Sequence, residues 1–283
     1  MLGFHVCNIN DLKIAHKNKY NVVQLFVNKQ KNISEYKKEL NTYNINCFVH
    51  ASYTINLSAK WDKYSWSVHQ FITEIKLAHQ LGALGIVVHF GKQLELTKEE
   101  ALNNMYTALL YVHEQTKDLN IIILLETPTG QGTEICYKLE DLSHFYKKIN
   151  KNKKISQRFK ICVDSCHIFV AGYDFRSKNM FELFLDTFEE LIGIQNIGLI
   201  HLNDSKNELG SRIDRHENIG HGFIGLKPLK RFFTYFHSLG IPVILETPDI
   251  FDLKSFKIKK NNQNKKSKVN CHSSFLGTSY SSS

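Results

Sequence analysis

The sequence predicts an α/β fold, a (β/α)8 TIM barrel with a metal cluster at the C-terminal mouth of its strands, and three observations carry that reading. Six short apolar runs end on a metal-binding residue type: INCFV before His50, GIVV before His89, IIILL before Glu126, KICV before Asp164, IGLI before His201 and PVIL before Glu246. The gaps between those end residues are 39, 37, 38, 37 and 45 positions, close to the period of one strand, one helix and two loops. The runs lack polar alternation, as expected of parallel strands buried on both faces. Each run therefore brings one His, Glu or Asp to the same end of a parallel sheet, the end at which barrel active sites lie.

The elements follow in order. Strand-like runs occupy 2–6, 21–27, 45–50, 85–89, 120–126, 159–164, 197–201 and 242–246. The first, Met1-Leu2-Gly3-Phe4-His5-Val6, gives way at once to Asn8, Asn10 and Asp11, so it reads as a strand and not as a secretory signal. No apolar stretch is long enough to span a bilayer, and an intracellular, soluble protein is expected. Helical spacing fills the intervals. Val68, Phe71, Ile72, Ile75 and Ala78 form one apolar stripe, and Ala101, Met105, Ala108 and Leu109 a second. Phe181, Phe184, Leu185 and Phe188 form a third, and Leu226, Leu229, Phe232 and Phe233 a fourth. These stripes are expected to be core packing. Strict βα alternation selects a parallel architecture, and eight units favour closure into a barrel over an open sheet.

At 283 residues the chain has the length of one large barrel. Its charge is uneven: residues 254–283 hold seven Lys and no acidic residue, leaving 29 basic against 27 acidic residues before them. We therefore expect a near-neutral catalytic barrel over 1–253 and a disordered, Lys/Ser-rich basic tail over 254–283, too poor in apolar residues to order itself. Only five of the 36 basic residues are Arg, and with the many Asn and Ile this points to an AT-rich cellular or viral genome. The six cysteines form no C-x-x-C pair and are expected to be reduced, with Cys162 facing the barrel interior and Cys166 a packing residue.

Two local pairs add ligands to the strand tips: Asp164 with His167, and Asp214 with His216 in the long polar loop LNDSKNELGSRIDRHENIGHG. The set comprises His50, His89, His167, His201, His216, Glu126, Asp164, Asp214 and Glu246. Unpaired, so many ionisable groups converging on one low-dielectric mouth would be prohibitively costly, and metal ions resolve that cost. Nine ligands exceed the needs of one tetrahedral ion, so two or three fit, and imidazole with carboxylate suits zinc first, with manganese or iron as alternatives. Three zinc ions against four ionised carboxylates leave a net charge of about +2, which suits an anionic phosphate.

Several blocks together resemble the signature of endonuclease IV, the zinc-dependent apurinic/apyrimidinic endonucleases. They are HASY at 50–53, ETPTGQGTE at 126–134, CVDSCHIFVAGYD at 162–174, HLNDSK at 201–206, GSRIDRHENIGHGFIG at 210–225 and ILETP at 244–248, with QLFVNKQK at 24–31 similar to the family's start. The resemblance implies three zinc ions per chain: one on His50, His89 and Glu126, a second on Glu126, Asp164, His201 and Glu246, and a third on His167, Asp214 and His216. It makes Glu126, as a bridge, and Glu246 the catalytic carboxylates. The implied reaction is DNA-repair hydrolysis of the phosphodiester 5′ to an abasic site, leaving a 3′-hydroxyl and a 5′-deoxyribose phosphate, with cleaning of blocked 3′ ends. The implied partner is double-stranded DNA containing abasic sites, with no membrane and no nucleotide cofactor, and the chain is expected to act as a monomer. Lys31 and Tyr53 align with residues that enter the DNA at the lesion; Arg212 and Arg215 are read as contacts to backbone phosphates or as groups orienting Asp214.

Two other functions fit parts of the pattern. A metal-dependent sugar isomerase-like barrel would use two metals on strand-tip ligands, but leaves Asp214 and His216 unexplained. A non-catalytic DNA-binding protein on the same scaffold leaves all nine ligand types unexplained. Gly220-His221-Gly222-Phe223-Ile224-Gly225 matches G-x-G-x-x-G, yet follows a polar run where a dinucleotide site requires a buried strand.

Overall fold

The computed structural model describes residues 1–27, 32–153 and 155–248. Lys31, Cys271 and the 254–283 tail, each the subject of an expectation above, lie outside the described residues. Strand β1 (Leu2–His5) pairs in parallel with both β2 (Val22–Leu25) and β10 (Val243–Leu245), so the first and last barrel strands close the sheet on itself. Around the rest of the ring run β3 (Asn46–His50), β4 (Gly85–His89), β5 (Ile122–Glu126), β6 (Phe159–Asp164) and β7 (Ile197–His201), all parallel. The eight-stranded barrel is thus the expected one. Five of the six metal-type residues are the last residue of their strand, and Glu246 directly follows β10.

Helices fill the intervals: α1 (Asn10–Lys17), α2 (Ile33–Tyr43), α3 (Trp66–Leu81), α4 (Lys98–Thr116), α5 (Leu139–Lys151), α6 (Ser165–Val170), α7 (Lys178–Leu191) and α8 (Leu226–Ser238). Local chemistry sets their ends. Thr97 and Glu100 exchange hydrogen bonds in a capping box that starts α4, and Gly82 ends α3 at φ 84°, a left-handed conformation that a β-carbon disfavours. The helical stripes are buried as expected, except that Leu185 and Phe233 are half-buried and Leu226, in the first turn of α8, is 38% exposed. Between β7 and α8 the long loop forms a small antiparallel pair that the strand pattern does not announce, β8 (Asp204–Ser205) with β9 (His216–Glu217). Two-residue strands carry no periodicity to read.

Two apolar layers result from strand alternation. Residues such as Val23, Val49, Ile86, Leu125, Val163 and Leu245 pack outward against the helices. Val22, Phe48, Val87, Leu124, Cys162, Leu199 and Ile244, one from each of seven strands, form a separate buried cluster that fills the barrel. The pairing of β6 with β7 shifts at Ile161/Cys162, so that Gly198 is skipped and Asp164 stands beside His201. A β-carbon on Gly198 would come within 2.7 Å of Leu124 Cδ2. Cys47, Cys136, Cys162 and Cys166 are free and buried. Cys7 is disulfide-bonded, which corrects the expectation of six reduced thiols; a cysteine's redox state is not written in its spacing when no C-x-x-C or similar motif is present.

Candidate metal centre

The barrel-filling cluster fixes what lies above it. A strand repeats its facing every two residues. The residues two positions beyond Val22, Phe48, Val87, Leu124, Cys162, Leu199 and Ile244 are Gln24, His50, His89, Glu126, Asp164, His201 and Glu246. They therefore face the barrel axis at its C-terminal mouth, on a floor of apolar side chains.

Their geometry centres on Glu126, which is 1% exposed. Its Oε2 lies 3.2 Å from His50 Nε2 and 2.8 Å from His89 Nε2, while its Oε1 lies 2.6 Å from His201 Nδ1. One carboxylate thus faces two groups of imidazoles with its two oxygens. His201 Nδ1 is also 3.3 Å from Glu246 Oε2 and 3.9 Å from Asp164 Oδ2. Asp164 Oδ2 in turn lies 3.7 Å from His216 Nε2, and Asp214 Oδ1 lies 3.3 Å from His167 Nε2 and 3.4 Å from His216 Nε2. The ligand atoms of His50, His89 and Glu126 lie within 4.8 Å of one another, as do those of His167, Asp214 and His216.

The surrounding hydrogen bonds decide which imidazole nitrogen faces the centre. His50 Nδ1 is 2.7 Å from the Ala51 carbonyl and His167 Nδ1 is 2.9 Å from the Thr127 carbonyl, so each donates there and turns Nε2 inward. His201 is reversed: its Nε2 donates to Gln24 Oε1 at 2.8 Å and its Nδ1 faces the carboxylates. Gln24 also donates to Glu246 Oε1 at 2.6 Å, and Asn203 Nδ2 to Asp164 Oδ2 at 2.7 Å. Asp214 is set by its backbone, whose N–H donates to Gln131 Oε1 at 2.9 Å and whose carbonyl accepts from Arg215 Nη1 at 2.6 Å. Gln24 and Asn203 escaped the sequence reading. The signal for Gln24 was present, since it lies within the strand-like run 21–27 in the same facing as the six; an amide simply carries no metal-ligand flag.

The electrostatics match the crowding. Burial alone would raise Glu126, yet His89 and His201 hold its carboxyl well below the usual range. Burial likewise opposes the charge on His167, and Asp164 and Asp214 outweigh it, holding the imidazole well above its ordinary value. Glu246 is brought down to about 2 against its burial, chiefly by His201. Among the described residues no Lys or Arg side chain pairs with Glu126, Asp164 or Asp214; their countercharges are histidines alone. His167 Nε2 is buried without a hydrogen-bond partner among those residues. Divalent cations fit this donor set: carboxylate and imidazole donors converge with lone pairs facing one another, and a buried orphan nitrogen points into the gap. Cys162 and Cys166 border the cluster, but burial pushes both thiols up, Cys162 to about 12, which disfavours thiolate ligation.

At the rim, Tyr53 is 43% exposed, with its ring 6.2 Å from His50 and 5.1 Å from Phe26. Burial, then Glu246 and Asp214, push its hydroxyl up to about 12, so the phenol is neutral near pH 7. Arg212 stacks over Tyr137 at 4.4 Å, and Arg215 makes the contact to Asp214 just described.

A closed parallel barrel with imidazoles and carboxylates at its C-terminal mouth defines a class of metal-site TIM barrels, and the family model described as "Xylose isomerase-like TIM barrel" matches residues 12–264. Within that class, the chain is 37% identical over 248 residues to "Probable endonuclease 4" of Mycoplasma mobile, covering 83% of this chain and 85% of the relative. It is 38% identical over 201 residues to "Apurinic-apyrimidinic endonuclease 1" of Schizosaccharomyces pombe, covering 71% of this chain and 57% of the relative. Among solved structures, endonuclease IV from Thermus thermophilus superposes with a TM-score of 0.72 at 24% identity, covering 90% of this chain and 97% of that one. The chain belongs to the endonuclease IV family. No helix among the described residues is long and apolar enough to cross a membrane.

Proposed function

We propose that this protein is a DNA-repair apurinic/apyrimidinic endonuclease holding three zinc ions: one on His50, His89 and Glu126, one on Glu126, Asp164, His201 and Glu246, and one on His167, Asp214 and His216. The observation that carries the reading is the third group: a loop outside the barrel strands brings Asp214 and His216 to His167, on α6 directly after β6, beside the carboxylates and imidazoles of the strand tips. Zinc bound there would supply a nucleophile from water at neutral pH and neutralise charge on the phosphodiester. The chain's residues supply the rest. Glu126 presents one oxygen to each of the first two groups, which fixes their separation. Gln24 and Asn203 hold Glu246 and Asp164 in place, and the apolar floor excludes water from below.

The substrate is duplex DNA with an abasic nucleotide turned out of the helix, since a phosphate in regular duplex cannot reach a recessed cluster. A water oxygen bonds to phosphorus 5′ to the lesion as the bond from phosphorus to the 3′-oxygen breaks. That oxygen leaves as a 3′-hydroxyl, and the other end is a 5′-deoxyribose phosphate. The same chemistry would remove phosphate-linked blocks from 3′ ends. Tyr53, neutral and half-exposed beside His50, is suited to stack on a base left unpaired. Lys31, Arg212 and Arg215 are proposed as further DNA contacts.

The test is to incubate zinc-replete protein with a duplex carrying one tetrahydrofuran abasic analogue. Nicking 5′ to the analogue is expected. Ketose formation from an aldose without nicking would instead support a sugar isomerase.

A further inference from the structure

The loop that carries Asp214 and His216 spans more than twenty residues between β7 and α8 without a helix. Loops of that length are ordinarily mobile, yet ligands must be held to within a fraction of an ångström. One buried side chain that the proposed chemistry does not use accounts for the difference. Asp204, three residues beyond His201, is 0% exposed. Its Oδ1 accepts from the backbone N–H groups of Ser205 at 2.8 Å, Ile224 at 3.0 Å and Gly225 at 3.3 Å. Its Oδ2 accepts from those of Gly220 at 2.8 Å, Gly222 at 3.1 Å and Gly225 at 3.2 Å. The G-x-G-x-x-G segment is therefore an anion cradle whose anion is a carboxylate of this chain.

The cradle ties the start of the loop to its end, and the ligand-bearing stretch lies between. Ser205 pairs with His216 and Asp204 with Glu217 across β8 and β9, Lys206 N–H donates to the Arg215 carbonyl at 2.9 Å, and Phe223 N–H donates to the Ser205 carbonyl at 2.8 Å. Gly222 approaches so closely that a β-carbon there would lie 2.3 Å from the Ser205 carbonyl oxygen and 2.6 Å from Asp204 Oδ1. We infer that Asp204 is a positioning residue for the third metal group: by gathering five backbone N–H groups it folds the loop before metal arrives and sets His216 and Asp214 opposite His167. This rests on the three-ion reading above.

An amide at this position would turn an NH2 toward two or three of those N–H donors, whichever way it rotated. The test compares wild type, Asp204→Asn, Gly222→Ala and a control, Ser143→Ala. Ser143 is buried between α5 and α7, where its hydroxyl donates to the Leu191 carbonyl at 2.5 Å, remote from the loop. After chelation, zinc is titrated back against a competing chelator, and amide hydrogen exchange is followed by mass spectrometry on the metal-free proteins. In Asp204→Asn we expect two ions bound as in wild type and the third at least about tenfold more weakly, the scale of losing a supporting contact. Exchange should quicken over 203–225 and not in the barrel strands. Gly222→Ala, which wedges the cradle without removing charge, should do the same, and Ser143→Ala should do neither.

Retention of the third ion with wild-type exchange over 203–225 overturns the inference. So does a uniform loss of all ions with exchange quickened throughout the barrel in both loop variants, which would make Asp204 only a cap for α8. If wild type itself binds fewer than three ions, the three-ion reading fails instead, and the exchange data alone decide whether Asp204 organises the loop.

Discussion

The two layers inside the barrel come from the same seven strands and, for Glu246, the residue directly after β10; they stand two residues apart and are chemically opposite. The lower holds Val22, Phe48, Val87, Leu124, Cys162, Leu199 and Ile244; the upper holds Gln24, His50, His89, Glu126, Asp164, His201 and Glu246. Below, stability comes from burying apolar area and filling space. Above, burial is a cost, and each charge is tolerated only because an opposite charge, a hydrogen bond or a cation meets it. The contrast teaches that one strand geometry delivers both layers, and that position along the strand decides which physics applies. It also links them, because the floor keeps water out and so strengthens every interaction in the layer above.

Substitutions that separate the layers should give separable phenotypes. The largest effect is expected from Glu126→Gln in the upper layer. It should lower turnover on an abasic duplex by roughly three orders of magnitude or more, the equivalent of several kcal/mol of transition-state stabilisation. Elemental analysis should also show loss of bound zinc, and near-normal turnover with three ions would remove Glu126 from the centre. Glu246→Gln should likewise cut turnover steeply while duplex binding survives.

Leu124→Ala, two residues below Glu126, should do the reverse. Truncating this buried side chain should cost about 2–5 kcal/mol of stability while zinc content at saturation is kept. Chemical denaturation read beside zinc analysis checks it; a Leu124→Ala protein of unchanged stability would mean that the floor is not close-packed. A smaller effect is expected of Gln24→Ala, which removes a support and not a ligand: zinc affinity should fall by about 10- to 100-fold.

Acidity sharpens the same contrast. In the chelated protein Glu246, at about 2, contributes stability above its ordinary 4.5 and loses it as the pH falls toward 2. His167, held above its ordinary 6.5, contributes fully below that value and loses its contribution as the pH rises through the elevated one. The metal-free protein should therefore melt highest between about pH 4.5 and 6.5, and lower at pH 8.5. The zinc-loaded protein should not share the alkaline loss, because metal replaces the protons. Calorimetry with and without chelator tests this, and a metal-free melting point that climbs from pH 6.5 to 8.5 would contradict the ion pairing.

The smallest effect on turnover is expected from deleting residues 254–283, whose seven Lys would contribute counterion release on DNA. The log–log salt slope of duplex binding should flatten by up to roughly six units, with turnover at low salt little changed. Equal slopes would leave the tail without a role on DNA.

The sequence by itself determined the barrel and most of its mouth. Unbroken runs of Val, Ile and Leu at a near-constant period admit little except parallel strands, and His50, His89, Glu126, Asp164 and His201 stand at strand ends that the structure reproduces to the residue. Strand and helix periodicity are local, so a sequence records them. Tertiary structure alone decided the rest. Only the closed ring shows Glu126 giving its two oxygens to different imidazoles, because β3, β4 and β7 meet there from distant parts of the chain. Only the folded loop shows Gln131 orienting Asp214, and Asp204 drawing together amides some twenty residues away. Those contacts depend on where the backbone returns in space, and a backbone N–H, present at every residue but proline, leaves no mark in a sequence.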